Sequence, residues 1–251
     1  MSKIFFFDID GTLAMRGMIP EGNLEMLDDL KAKGYKTFIC TGRVVSYAKK
    51  LFGQHVTGYI GCNGRYIDEN NECLYGKSFS EEELNNLISR FKALKIGYTF
   101  AAKEITYYEN LSEEEEINLH KQYGDKVKPL SECNEPLYTF DLFFEKYRLQ
   151  ELIDYFKGEI ILNDHHNGSA DCTTVSFDKG SAIKYLLEYY HIDHSDSYAF
   201  GDGYNDVYMF RETDNRIAMG NAVDVLKEKA TYITDDYDKQ GIQKALAYYK
   251  I

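Results

Sequence analysis

The chain has no tryptophan, only three prolines and an odd five cysteines among its 251 residues. Each scarcity removes a class. So few prolines leave no proline-rich linker or recognition segment. Cys40, Cys62, Cys73, Cys133 and Cys172 form no close pair, so neither a disulfide framework nor a zinc site is indicated. No apolar stretch approaches the length of a membrane span. Lys3 is followed by only four apolar residues before Asp8, short of the apolar segment of a signal peptide, and the cytoplasm is the expected location. Positive charge is scarce too. With 29 Lys and Arg against 41 Asp and Glu, the net charge of -12 disfavours any sequence-independent grip on nucleic acid or an anionic membrane. An acidic chain that handles an anion must build its positive potential locally.

What is present suits a folded protein: 44% of residues are hydrophobic and 28% charged. Residues 3–77 read as alternating strand and helix. Lys3–Phe7 is a continuous β-favouring run, consistent with a strand buried on both faces. Leu24, Leu27 and Leu30 stripe a helix that Gly34 stops. Tyr35–Cys40 is the next strand, Val44–Phe52 the next helix, and Tyr59–Cys62 a third strand ending at Asn63-Gly64. The rhythm resumes from Ser176: a helix after Gly180, a strand over Ser197–Phe200, a short helix over Asp206–Arg211, a strand over Arg216–Met219 and closing helices over Ala222–Lys229 and Lys239–Tyr249. This alternation predicts an α/β fold whose parallel strands carry their site in the loops at the carboxyl ends.

The middle has another texture. Ser80–Lys95 is a helix with a capping box, Tyr98–Ala101 and Ile105–Glu109 a hairpin, Ser112–Tyr123 an acidic helix, Tyr138–Glu145 a strand and Arg148–Phe156 a helix. Glu159–Leu162 and Asp171–Val175 read as its last strands. Residues 80–175 are therefore expected to form an inserted α+β domain between two halves of a core, 1–79 and 176–251. The aromatics at 98, 100, 107, 108, 140 and 143 read as strand packing. The Asn163–Gly168 loop with its two histidines reads as a plain turn.

Four stations carry chemistry. In Asp8-Ile9-Asp10-Gly11-Thr12-Leu13, two carboxylates sit one residue apart where a strand ends. One can attack phosphorus, the other can move protons, and Gly11-Thr12 permits a tight turn that folds the second over the first. A strand-ending Asx turn with solvated acids is the alternative. Thr41-Gly42, between strand and helix, can receive an anion or simply cap a helix. Lys179, at a helix start, can neutralise phosphate oxygens or lie in solvent. In Gly201-Asp202-Gly203-Tyr204-Asn205-Asp206, Asp202 can complete the shell of a magnesium ion begun by Asp8 and the Asp10 carbonyl. Asn205 can donate to a phosphate and Asp206 can orient Lys179 or the metal shell. A Gly-Asp-Gly turn is the bland alternative.

Taken with Asn63-Gly64, Ala218-Met219-Gly220-Asn221-Ala222, Thr234-Asp235-Asp236 and Gly241-Ile242, these segments resemble the haloacid dehalogenase superfamily, specifically its Cof-type, subclass IIB phosphatases. The resemblance covers nearly all of residues 3–77 and 176–246; the middle matches in length, position and texture. It implies a Rossmann-like parallel-sheet core with an inserted α+β cap of the C2B type. It further implies Asp8 as nucleophile and Asp10 as acid/base, with Mg2+ on Asp8, the Asp10 carbonyl and Asp202. Phosphate would rest on the Ile9 N–H, Thr41, Gly42, Lys179 and Asn205. The expected activity is hydrolysis of a small phosphate monoester (a sugar phosphate, nucleotide or phosphorylated cofactor) with no nucleic-acid or membrane partner. A phosphomutase or phosphotransferase is the alternative enzyme, and a non-catalytic phosphometabolite-binding protein the alternative of another class. The residues leave the metabolite and the oligomeric state open.

Overall fold

The computed structural model of the chain describes residues 2–175 and 177–251. Ser176, the expected first residue of the second core segment, lies outside them. The chain divides into two compact units, Met1–Tyr75 with Asp178–Ile251, and Gly76–Phe177.

In the first unit the order is β1 (Ile4–Phe7), α1 (Asn23–Ala32), β2 (Lys36–Cys40), α2 (Val45–Phe52), β3 (Gly58–Gly61), β4 (Tyr66–Glu69) and β5 (Glu72–Gly76). It resumes after the second unit's elements, α3 to α5 and β6 to β11, with α6 (Lys179–Tyr190), β12 (Ser197–Gly201), α7 (Val207–Arg211), β13 (Asn215–Ala218), α8 (Asp224–Lys227), β14 (Tyr232–Ile233) and α9 (Gly241–Tyr248). These strands form one sheet in the order β14-β13-β12-β1-β2-β3-β4-β5. Every pairing from β14 to β3 is parallel. The α/β expectation holds there.

The sequence reading missed β4 and β5, and β4 runs antiparallel to β3. Cys62, Asn63 and Gly64 all have positive φ (54°, 51° and 96°), which reverses the chain within a few residues. Asn70 and Asn71, at φ 54° and 68°, then make the two-residue turn into β5; positive φ at both central positions is the signature of a type I′ hairpin.

β1 is buried on both faces, as its unbroken apolar run predicts. Ile4 and Phe6 join Phe38, Cys40 and Ile60 in a cluster with Ala182, Ile183, Leu186 and Leu187 of α6. Phe5 and Phe7 point the other way, where Phe5 stacks on Tyr198 at 4.7 Å and Phe7 on Phe200 at 4.8 Å. Burying each such ring stabilises by about 1.5–3 kcal/mol, so the strand that ends at Asp8 is firmly seated.

The second unit contains α3 (Glu81–Leu94), β6 (Gly97–Ala101), β7 (Thr106–Glu109), α4 (Glu113–Tyr123), β8 (Val127–Pro129), β9 (Thr139–Phe143), α5 (Leu149–Tyr155), β10 (Ile160–Asp164) and β11 (Ser169–Thr174). Its sheet runs β10-β11-β9-β6-β7-β8. All its pairings are antiparallel except β7 with β8, a three-residue strand too short to announce itself in the sequence. Phe100, Phe140, Leu142 and Cys172 on one face cluster with Leu87 and Phe91 of α3 and Leu152 of α5. Tyr98, Phe100, Tyr107 and Phe140 are buried, as strand packing requires, while Tyr108 and Phe143 are half-buried. The histidine loop is the turn joining β10 to β11, with His166 at φ 61° and Gly168 at φ 95°.

Candidate active site

Strand register places the stations side by side. Phe7 of β1 lies opposite Ile39 of β2 and Phe200 of β12. One residue on, Asp8 is therefore flanked by Cys40 and Gly201, and the next positions outward are Thr41 and Asp202. The ladder continues past the strand ends: the Asp8 N–H donates to Phe200 O at 3.0 Å and the Thr41 N–H to Ile60 O at 2.8 Å. The carboxyl ends of neighbouring parallel strands thus deliver residues that are 33 to 194 positions apart in the chain.

Lys179 reaches this point from the first turn of α6. Its Nζ lies 2.6 Å from Asp8 Oδ1 and 2.8 Å from Asp206 Oδ1, and its side chain is 1% exposed. Asp8 and Asp206 are buried, and each of Asp8, Asp202 and Asp206 offers an oxygen within 4.8 Å of the others. The solvated readings of these side chains therefore fail. Burial, with Asp206 adding repulsion and Lys179 opposing it, holds the Asp8 carboxyl well above the usual carboxylate range. Burial and the Asp206 charge push Asp202 up to about 7. Desolvation works against the Lys179 ammonium, but the Asp206 and Asp8 charges outweigh it and raise its pKa. Three clustered carboxylates against one ammonium leave excess negative charge, and an all-oxygen donor set of this kind fits a hard divalent cation.

Comparison with known proteins gives the family. Residues 5–246 match the haloacid dehalogenase-like hydrolase family. The chain belongs to that family. It is 28% identical over 272 residues, 96% of this chain and 95% of the other, to the Bacillus subtilis 5-amino-6-(5-phospho-D-ribitylamino)uracil phosphatase YwtE. It is 25% identical over 245 residues, 95% and 94% of the two chains, to a phosphoglycolate phosphatase of Methanobrevibacter smithii. Among solved structures, the subclass IIB sugar phosphatase BT4131 superposes with a TM-score of 0.81 at 26% identity over 99% of both chains. The expected enzyme class, a phosphoric monoester hydrolase, stands with this membership.

Other residues of this haloacid dehalogenase-like hydrolase are placed less uniformly. The Asp10 carboxylate stands apart from the three-acid group; its Oδ2 accepts from Arg43 Nε at 3.1 Å, and the Arg43 guanidinium lies 4.5 Å from the Tyr47 ring centroid. Gly11, at φ 91°, packs against the Asp202 carboxylate so closely that a Cβ would overlap it. Thr41 does not cap α2, whose N-cap is Val44; its Oγ1 accepts the Arg43 N–H at 3.1 Å. Asp206 Oδ2 accepts the Asp202 and Gly203 N–H groups at 2.9 and 3.0 Å, so one carboxylate both shapes the loop and faces Lys179. Ile9 is buried, and Gly42 and Asn205 are half-buried; none contributes a side-chain hydrogen bond to the cluster among the described residues. Helix α6 begins at Lys179 rather than after Gly180, with Asp178 as its N-cap.

Sequence reasoning gave no role to Asn221, whose Nδ2 donates to Gly11 O at 2.9 Å and to Asp202 Oδ2 at 3.2 Å. Nor did it find Asp178 and Arg211. Asp178 three residues before Ser181 was a readable capping signal; nothing local marks its partner.

Proposed function

We propose that this chain is a magnesium-dependent phosphatase acting on small phosphate monoesters, such as sugar phosphates, nucleotides or phosphorylated cofactors, through an aspartyl-phosphate intermediate. The observation that carries the reading is the Lys179 ammonium buried between Asp8 and Asp206, with Asp202 alongside. The relatives named above support the substrate class, since each is a phosphatase of a small phosphate ester by name.

In this reading the phosphoryl group rests on the Ile9 N–H, Thr41, Gly42, Lys179 and Asn205. An Asp8 oxygen attacks phosphorus, and as the bond to the leaving oxygen breaks, Asp10 gives that oxygen its proton. Asp10, now ionised, takes a proton from water as the water oxygen attacks phosphorus. The Asp8–phosphorus bond then breaks, inorganic phosphate leaves and Asp10 is protonated again. Mg2+ held by Asp8, the Asp10 carbonyl and Asp202, with Asp206 supporting, would neutralise the acids and draw charge from the phosphoryl oxygens. Burial, with the Asp206 charge beside it, raises the Asp8 carboxyl, and a cation there would favour the ionised, nucleophilic form. Residues 80–175 act as the cap that selects the leaving group. Five cysteines, none in a disulfide, suit a reducing compartment, which favours the cytoplasm.

The test is released phosphate from a panel of phosphorylated metabolites with Mg2+, in native protein and in Asp8→Asn. The substitution is expected to abolish turnover while binding of a phosphate analogue survives. Turnover retained in that variant would remove Asp8 from the nucleophile role. Phosphate release from one sugar phosphate without a second acceptor separates hydrolysis from phosphotransfer.

A further inference from the structure

Several contacts converge on the first turn of α6 without touching the reacting groups. The buried Asp178 carboxylate accepts the Ser181 N–H on Oδ1 at 3.0 Å, which caps the helix. It also receives Arg211 as a fork, Nη1 to Oδ2 and Nη2 to Oδ1, both at 3.0 Å. Arg211 closes α7, the helix whose N-cap is Asp206. The segment carrying Lys179 and the segment carrying Asp206 are therefore joined at two points, Lys179 to Asp206 and Asp178 to Arg211.

A third side is closed by Gly64. At φ 96° its Cα faces the Asp178 backbone, and a Cβ there would overlap the Asp178 carbonyl oxygen and stand 3.1 Å from Lys179 Cα. The same turn is tied to the Thr41 loop, since the Asn63 N–H donates to Thr41 O at 3.2 Å. On the fourth side, a Cβ on Gly180 would overlap the Tyr208 carbonyl oxygen.

We propose that Arg211, Asp178 and Gly64 are positioning residues that clamp the backbone of Lys179 and thereby aim its ammonium at Asp8. The consequence for catalysis rests on the phosphatase reading; the clamp itself does not. A lysine side chain is a flexible four-carbon stem with a point charge, so its aim is only as good as the placement of its Cα. Misplacing a catalytic group by an ångström can cost about a hundredfold in rate.

The experiment reads Lys179 directly. Folded protein is pulsed with an amine-acetylating reagent, digested, and the Lys179 peptide quantified by mass spectrometry, with kcat and KM for a phosphate ester measured in parallel. Asp178→Asn keeps an oxygen for the Ser181 N–H but loses the ion pair, so it separates capping from clamping. Asp178→Asn and Arg211→Met are each expected to raise Lys179 acetylation and lower kcat by about tenfold. The double variant should be no worse than either single change, because both remove the same contact. Arg211→Lys should fall between, having lost the fork. Gly64→Ala should cost roughly a hundredfold in kcat. Gly34→Ala, at φ 77° with open space around it, should leave Lys179 protected.

Unchanged acetylation in Arg211→Met and Asp178→Asn overturns the clamp, whether or not the chain releases phosphate. Acetylation that rises in a chain with no turnover on any ester upholds the clamp and sinks the phosphatase reading instead. Should Gly64→Ala not fold, Arg211→Met decides, because its side chain is half-exposed and its removal opens no core.

Discussion

At the scale of single residues, the Asp10–Arg43 pair sets one carboxylate apart from the clustered acids. Arg43 is fixed from two sides, by the Asp10 carboxylate and by the Tyr47 ring, and a planar guanidinium held this way restricts the carboxylate it grips. If Asp10 is the proton donor, its importance scales with the basicity of the departing oxygen. A sugar alkoxide needs the proton; p-nitrophenolate leaves almost without it. Asp10→Asn should therefore slow sugar phosphates by roughly 10²- to 10⁴-fold and p-nitrophenyl phosphate far less. Arg43→Met should repeat the pattern more weakly, at about tenfold for the alkyl esters. Equal losses on both substrates would place Arg43 in phosphate binding rather than in aiming Asp10. The carboxylates and Lys179 were legible because each sits at a strand end or helix start with a short local signature. The Asp178–Arg211 pair was not, because two polar residues 33 positions apart meet only once the sheet has folded.

At the scale of elements, periodicity and caps located most helices and strands to within a few residues, since burial on one or both faces leaves a pattern that local chemistry bounds. Of the strands missed, β8 is too short to leave a pattern, while β4 and β5 were governed by turn chemistry. The β4–β5 hairpin hangs on Asn70-Asn71, a readable type I′ signal, but no apolar alternation in Glu72–Gly76 accompanied it because that strand is an exposed edge. The caps yield a prediction. Ser80 Oγ accepts the Glu83 N–H at 3.2 Å, and Glu83 Oε2 accepts the Ser80 N–H at 2.7 Å. Ser80→Ala removes one half of that box at the start of α3 and should cost about 1 kcal/mol, read as a lower denaturant midpoint by circular dichroism. Because the helix belongs to the second unit, kcat for p-nitrophenyl phosphate should hold within about twofold under folding conditions. No change in midpoint would mean the box contributes nothing measurable.

At the scale of the whole molecule, the clustered acids make stability depend on pH, and on a divalent cation wherever one binds them. Asp202, pushed up to about 7 by burial and the Asp206 charge, holds its proton in the metal-free folded chain at pH values where the unfolded chain has released it. The folded state therefore binds more protons between the ordinary carboxylate range and about pH 7, and stability falls as pH rises through that window. The buried Asp8, raised for the same first cause, adds in the same direction. A divalent cation held as proposed would reverse the balance, because it would bind the ionised carboxylates and compete with protons. Thermal unfolding in chelator should accordingly show Tm lower near pH 8 than near pH 6. Addition of Mg2+ at ~5 mM should raise Tm by several degrees near pH 8 and by much less near pH 5.5. Asp202→Asn should remove most of that Mg2+ response while raising the metal-free Tm near pH 8, since it deletes a charge that burial penalises. A Mg2+ shift of the same size at both pH values, or one that survives Asp202→Asn, would move the ion away from Asp8 and Asp202 and leave the excess negative charge at the strand ends to be met by something else.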